Sequence, residues 1–171
     1  SRMRVFLFRH AEAVHDEAED LRRDLSPKGR EQLVHLCQTL RPREFAKLAE
    51  IRHSPAQRTL ATAVEFQQHM GLDVQRRSWP GLLPEDDPIP LVEEILQSEG
   101  DLMLVGHNPH LSFLAAYLMT GNAHNATVVF KKCGLLCLEQ VSRARADQPG
   151  GLWALAWYVI PRILAPADPD A

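Results

Sequence analysis

Short apolar runs alternate with amphipathic segments along the first 120 residues. The apolar runs, such as Val5-Phe6-Leu7-Phe8, have the length of buried strands. The first of the longer segments carries Leu33, Leu36, Cys37 and Leu40 at spacings of three and four, which is typical of one face of a helix. The pattern predicts strands at 4–8, 50–53, 73–77 and 102–105, and helices at about 27–40, 55–70, 89–99 and 109–119.

The pattern changes after Gly121. The runs at 126–131, 134–139 and 152–160 are typical of strands with no helix between them, and the turn-prone sequence Gln148-Pro149-Gly150-Gly151 precedes the last run. Alternating strands and helices predict an α/β fold, a three-layer α/β/α sandwich around a mostly parallel sheet with extra carboxyl-terminal strands. We expect one domain over 3–164 and a flexible tail over 165–171.

Three predicted helices begin with a capping residue followed by proline. These pairs are Ser26-Pro27, Ser54-Pro55 and Asn108-Pro109. The last two directly follow predicted strands, at the edge of the sheet where open α/β folds bind ligands. Because helix amino termini present unpaired N–H groups and a positive dipole end, such junctions favour an anion.

Four residues suited to binding phosphate lie at three separate strand-to-helix junctions, which include the one after the first strand: Arg9, His10, Arg58 and His107. Guanidinium and imidazole groups donate hydrogen bonds to phosphoryl oxygens, and a neutral imidazole is also a nucleophile. The chain has no G-x-x-x-x-G-K-[ST] or G-x-G-x-x-G sequence, so nucleotide binding of those kinds is not predicted. The leading hypothesis is a phosphate site.

Composition narrows the functional classes. The 19 Lys and Arg against 22 Asp and Glu give a net charge of -3, so we expect neither nucleic acid nor membrane as a partner. The apolar run at 5–8 is too short for a signal peptide, and we expect a cytoplasmic protein. Cys37, Cys133 and Cys137 lack the spacing of a disulfide framework or a metal site and are interpreted as small buried residues. No metal and no cofactor are predicted.

Several motifs in order resemble those of the histidine phosphatase superfamily, also called phosphoglycerate mutase-like. The short length and the Gly-His-Asn-Pro form are most similar to its compact phosphohistidine phosphatase branch, the SixA type. The resemblance runs from residue 3 to about residue 160. One departure is Ala11, where the family usually has glycine after Arg-His. The motifs are Arg9-His10, Leu25-Ser26-Pro27-Lys28-Gly29-Arg30-Glu31-Gln32, Ser54-Pro55-Ala56-Gln57-Arg58-Thr59 and Val105-Gly106-His107-Asn108-Pro109.

The resemblance implies a role for each matched residue. His10 is expected to attack phosphorus and form a covalent phosphohistidine, with its other ring nitrogen held by a backbone carbonyl or an acid. Arg9 and Arg58 are expected to clamp the phosphoryl oxygens. His107 would donate a hydrogen bond to an oxygen as charge shifts, helped by the N–H of Asn108.

The general acid is left open. The wider superfamily uses an acidic residue to protonate the leaving group, and the sequence offers Glu85, with Asp86 and Asp87 beside it, and Glu12. The alternative for the segment around Glu85 is a solvated acidic turn between prolines. A phosphoramidate needs less help from an acid, because a protonated imidazole leaves more easily than an alkoxide.

The sequence therefore predicts a phosphatase that hydrolyses phosphohistidine on a partner protein, such as a phosphotransfer domain. The segments that follow His10 and Met70 are short, so we expect an open site that admits a protein side chain. The alternatives are a phosphatase for a small phosphate ester and a phosphohistidine-binding module without turnover.

Overall fold

One mixed six-stranded sheet forms the centre of the molecule. The computed structural model describes residues 2–165. The strand order is β3-β2-β4-β1-β5-β6, in which β1 to β4 are parallel and β5 and β6 are antiparallel. The strands are β1 Arg4–Arg9, β2 Leu48–His53, β3 Gln75–Ser78, β4 Asp101–Gly106, β5 Leu135–Ser142 and β6 Leu152–Val159.

Four helices cover the two faces of the sheet, which confirms the predicted α/β fold. They are α1 Pro27–Thr39, α2 Gln57–Met70, α3 Ile89–Leu96 and α4 His110–Thr120. Alternate residues of β1 enter two separate cores, because side chains of a strand point to opposite faces. Phe6 and Phe8 pack with residues of α1 and α2, whereas Val5 and Leu7 pack with residues of α3 and α4.

The predicted elements after Gly121 are confirmed in part. Strands β5 and β6 form, but the run at 126–131 has no regular secondary structure and lies outside the sheet. Phe130 of this run is buried in a core, whereas Val129 lies 72 % exposed at the surface. The predicted tail, apart from residue 165, lies outside the described residues.

Helix α1 begins as the sequence predicts. The Ser26 side chain accepts a hydrogen bond from the Gly29 N–H at 3.1 Å, and Pro27 occupies the first helical position. Within residues 2–165, no helix combines the length and the apolar character needed to cross a bilayer.

Candidate active site

Three adjacent parallel strands end at the edge of the sheet where the predicted residues lie. Both β1 and β2 pair with β4. The hydrogen-bond ladder continues one step beyond the strands, because His10 donates its backbone N–H to Gly106 at 3.1 Å and Ser54 donates to Val105 at 3.0 Å. His107 directly follows β4. The fold therefore makes neighbours of three residues that are far apart in sequence.

His10 is held as a neutral imidazole. Its Nδ1 lies 2.7 Å from the backbone oxygen of Ala11, and because a carbonyl only accepts, Nδ1 carries the proton. Burial lowers the pKa of His10 to about 4, and nearby positive charges add to this effect against the hydrogen bond to Ala11. These charges belong to Arg58, Arg9 and Arg23. The unprotonated Nε2 of His10 thus lies within a cationic environment, as a nucleophile for phosphorus requires.

His107 lies beside His10, with ring centroids 5.3 Å apart in an edge-to-face arrangement. The Nε2 of His107 is 2.6 Å from the Ser54 hydroxyl oxygen, whereas the buried Nδ1 has no hydrogen-bond partner. Burial, with smaller contributions from the neighbouring His10 and from the positive charge of Arg58, lowers the pKa of His107 to about 3. His107 is therefore neutral and has one ring nitrogen left for a ligand.

Ser54 belongs to this site, and its predicted role as a helix cap is wrong. Helix α2 begins at Gln57, after Ala56, without a side-chain cap. The Ser54 hydroxyl instead contacts the Thr59 hydroxyl at 2.8 Å and His107, and it accepts a hydrogen bond from the Ala56 N–H at 3.2 Å. A serine-proline pair after a strand occurs both at helix amino-terminal caps and in tight turns. The sequence alone therefore does not show which of the two structures forms.

Arg58 lies in the first turn of α2 and is only 5 % exposed. Its Nη1 donates to the backbone oxygen of Asp20 at 2.9 Å, and its Nη2 donates to the Asp20 carboxylate at 3.2 Å. Arg23 donates to the other carboxylate oxygen at 3.1 Å. The hydrogen bonds and charges of Arg23 and Arg58 hold the pKa of Asp20 below its usual value, although partial burial alone would raise it.

The sequence analysis missed Asp20 and Arg23. Both lie in the polar segment between β1 and α1, where a 3₁₀ turn, Asp20–Arg22, rests near α2. This segment lies over Arg58, so the expectation of an open site is wrong on this side. The segment lacks hydrophobic periodicity, and only its two arginines among acidic residues could have indicated a role.

Arg9 and Asn108 are connected through one backbone oxygen. Arg9 Nη1 and Asn108 Nδ2 both donate to Phe130, at 2.9 and 3.0 Å. The Nε of Arg9 is buried and has no partner in the structure, and burial lowers the pKa of this guanidinium. The predicted cap role of Asn108 is wrong, since α4 begins at His110 and the Asn108 side chain instead accepts from Ser112 at 3.0 Å.

The candidate acids lie in two different environments. The Glu12 carboxylate accepts a hydrogen bond from Ser26 at 2.8 Å, which lowers the Glu12 pKa, so this group is ionised near neutral pH. Asp86 accepts from the backbone N–H of Leu83 at 2.9 Å. Among residues 2–165, no hydrogen bond joins Glu85 or Asp86 to the two site histidines.

Ala11 fits the site with an ordinary backbone conformation. It is fully buried, it does not have positive φ, and its N–H donates to the Thr62 hydroxyl at 3.1 Å. The glycine usual in the resembled family is therefore not needed for conformational reasons at this position.

The candidate site contains cations but no clustered metal ligands. In the part of the chain that the structure describes, no group of three or more His, Cys, Asp or Glu side chains could hold a metal ion. The arrangement can bind an anion between Arg9 and Arg58 while His10 contacts its central atom.

Comparison with known proteins supports the sequence resemblance. The family model for the histidine phosphatase superfamily (branch 1) matches residues 5–82. This range includes the Arg9-His10 pair and the segment with Arg58. None of the curated protein sequences matches this chain.

Solved structures share the fold over nearly the whole chain. The protein histidine phosphatase SixA complexed with tungstate is 20% identical with a TM-score of 0.78, and the match covers 94% of this chain and 98% of that one. SixA from Agrobacterium tumefaciens is 23% identical with a TM-score of 0.72, covering 94% and 99%. A mycobacterial glucosyl-3-phosphoglycerate phosphatase is 17% identical with a TM-score of 0.67, covering 91% and 98%.

Proposed function

From this resemblance to the histidine phosphatase superfamily, we propose that the chain is a phosphatase that removes phosphoryl groups from histidine side chains of a partner protein. His10 would carry the phosphoryl group between the two halves of the reaction. Arg9, Arg58, His107 and the N–H of Asn108 would bind the phosphoryl oxygens.

The environment of His10 is the observation that carries this proposal. The ring is neutral, its Nδ1 is bonded to Ala11, and the positive charges of Arg58, Arg9 and Arg23 act on it together. Positive side chains that lie close together repel one another. A bound anion relieves this repulsion, so such a cluster favours the binding of an anion. A neutral nucleophile among cations is the arrangement that phosphoryl transfer needs.

In the first step, His10 Nε2 attacks phosphorus in line with the bond to the leaving group. A bond forms between Nε2 and phosphorus, and the phosphorus–nitrogen bond of the substrate breaks. The leaving imidazole is already protonated on its other nitrogen and departs as neutral histidine. Arg58 and Arg9 would balance the charge on the phosphoryl oxygens, a task that suits the guanidinium fork.

In the second step, a water molecule attacks the phosphorus of phosphorylated His10 and releases inorganic phosphate. The hydrogen bond from Nδ1 to Ala11 stabilises the imidazole that leaves in this step. Glu85 and Asp86 remain candidate acids for a substrate with a poorer leaving group. Glu12 suits this role less, because its carboxylate is ionised and bonded to Ser26.

An exposed apolar groove beside Asn108 supports a protein as the substrate. The groove has a volume of about 300 Å³, and Phe113, Val129 and Phe130 are among its lining residues. Val129 is 72 % exposed and Phe113 is 36 % exposed. Apolar surface next to a catalytic site is typical of an interaction with another macromolecule.

The second candidate function is a phosphatase for a small phosphate ester. It is favoured by the fold shared with the mycobacterial glucosyl-3-phosphoglycerate phosphatase. The third candidate, a phosphohistidine-binding module, would use the same oxygen ligands but would transfer nothing to His10.

Rapid-quench kinetics test the proposal directly. A protein bearing phosphohistidine is mixed with the wild type, and both released phosphate and acid-labile phosphate on the enzyme are followed. We expect transient labelling and steady release in the wild type, and neither in His10→Ala, whose rate should fall at least about 1,000-fold because the nucleophile is lost.

The matched control is His69→Ala, which removes an exposed histidine at the far end of α2. It should turn over as the wild type does. Equal activity in His10→Ala would contradict covalent catalysis, and binding without release by the wild type would favour the binding module.

Val129→Asp separates the protein substrate from a small one. A charge in the groove should lower kcat/KM for the phosphorylated protein about tenfold, because a buried charge opposes docking, and should leave phosphoramidate turnover unchanged. The control is Val141→Asp, which changes an exposed valine of β5 at the opposite end of the sheet. An equal effect of Val129→Asp on both substrates would contradict the docking role of the groove.

A further inference from the structure

Asp20 engages both terminal nitrogens of Arg58. Arg58 Nη2 donates to the Asp20 carboxylate at 3.2 Å, and Arg58 Nη1 donates to the Asp20 backbone oxygen at 2.9 Å. A guanidinium group presents its donors as a fork that fits a carboxylate or a phosphoryl group in the same way. Asp20 and an incoming phosphoryl group therefore compete for the same donors.

The two members of this ion pair differ in their surroundings. The Arg58 side chain is 6% exposed, whereas that of Asp20 is 61% exposed. Releasing the carboxylate from Arg58 therefore moves it only into water, and exposed ion pairs are weak. Of the two side chains, that of Asp20 can therefore move away from its partner with the smaller loss of free energy.

Arg23 provides a second partner for the displaced carboxylate. Its Nη1 lies 3.1 Å from Asp20 Oδ1, and its Nε donates to the backbone oxygen of Val14 at 2.8 Å. A carboxylate that leaves Arg58 thus stays paired through its other oxygen. The ion pair with Arg23 also keeps Asp20 close enough to return.

We propose that Asp20 is a displaceable ligand of Arg58 that weakens the binding of free phosphate and so promotes product release. The inference rests on the proposed function only in that Arg58 is taken as a phosphate ligand. A substrate displaces Asp20 with the help of its remaining contacts with the protein. Displacing Asp20 costs substrate and product the same free energy, but inorganic phosphate lacks the substrate's other contacts, so the product is left with the weaker net binding.

Calorimetric titration with inorganic phosphate tests this role. In Asp20→Asn the competing charge is gone, and the Kd for phosphate should fall about fivefold relative to the wild type. Loss of structure cannot produce this gain in affinity. The matched control is Glu19→Gln, which removes the same charge from the adjacent residue, whose carboxylate pairs with Arg22 instead.

A double-mutant cycle assigns the effect to Arg58. In the Arg58→Ala background, Asp20→Asn should change the Kd for phosphate less than twofold, because there is no longer a shared donor. Steady-state inhibition should agree, with phosphate inhibiting Asp20→Asn at lower concentration than the wild type.

Two results would overturn the inference alone: phosphate binding that is unchanged or weaker in Asp20→Asn, or equal tightening in Glu19→Gln. Phosphate binding that is absent from the wild type and both single variants would overturn the phosphate site itself, and the inference with it.

Discussion

The Ser54 hydroxyl is the partner of His107 Nε2, and both side chains are almost completely buried. A histidine can direct only one ring nitrogen at a ligand, and the hydrogen bond at the other fixes the orientation and the tautomer of the ring. Ser54 also contacts Thr59, whose hydroxyl reaches the backbone oxygens of Ser54 and Ala56. At the scale of single residues, His107 is thus positioned by a buried hydroxyl pair.

Ser54→Ala should reduce kcat about tenfold and change KM less than twofold, because a poorly oriented His107 stabilises the transition state less than it binds the ground state. Steady-state kinetics with a small phosphoramidate measure both values, and the ¹⁵N shifts of the His107 ring report its tautomer. Ser98→Ala serves as the control, since the Ser98 hydroxyl donates to Gly100 near the start of β4. Unchanged ring shifts in Ser54→Ala would contradict the positioning role.

At the scale of secondary structure, Gly29 of α1 fixes how closely this helix approaches the segment after His10. A Cβ atom placed at Gly29 would lie about 2.1 Å from the backbone oxygen of Glu12. The same segment is held by the hydrogen bond from the Ser26 N–H to Glu12 at 2.9 Å. The start of α1 and the segment of the active site therefore pack as one unit.

Gly29→Ala should lower the free energy of unfolding by about 3 kcal/mol, because overpacking against backbone forces the helix to shift. Urea denaturation measures this change. The comparison is Gly71→Ala, at a left-handed position with φ of 65° and open space around the site, where we expect a cost of about 1 kcal/mol. Equal stability of the two variants would contradict close packing at Gly29.

The sequence predicts the order of the elements because their hydrophobic patterns are local. All four helices and the strands β1 to β4 form within a few residues of their predicted bounds. The starts of α2 and α4 were predicted too early, since Ser54 and Asn108 have the composition of caps but bond across the site. These contacts join residues that are 53 and 22 positions apart in the sequence, and hydrophobic periodicity carries no information about such distant partners.

The candidate site was predictable from the sequence only in part. The resemblance identifies the residues directly attached to the strand ends, and the structure brings His10, His107 and Arg58 together. Asp20 acts through a 3₁₀ turn of three residues, which leaves no periodic signal in the sequence.

At the scale of the whole molecule, the buried histidines couple folding to pH. The pKa of His10 is about 4 in the folded protein, against about 6.5 for an unperturbed histidine. Between these values the unfolded chain binds a proton that the native state does not, so stability rises with pH there. Its contribution is complete above about pH 6.5 and is lost as the pH falls toward 4.

We therefore expect the free energy of unfolding to fall between pH 6.5 and pH 4, with about 3 kcal/mol of the loss from His10. Urea denaturation at several pH values in this range measures the free energy of unfolding. This free energy should change less steeply with pH in His10→Gln than in the wild type. His69→Gln, which changes an exposed side chain, should keep the wild-type slope. A slope that is unaffected by His10→Gln would contradict the neutral, buried state of this ring.

The position of β1 in the sheet has a consequence for synthesis of the chain. This strand is synthesised before the other described strands, but its sheet partners among them are β4 and β5, at Asp101–Gly106 and Leu135–Ser142. A nascent chain that ends before β4 can pair β2 with β3, while the apolar β1 does not yet have its native neighbours β4 and β5. Pairing over such separations is slow and leaves apolar surface exposed. Strand β1 thus acquires its native sheet partners only after β4 and β5 have been synthesised, and until then its apolar residues are available to chaperones.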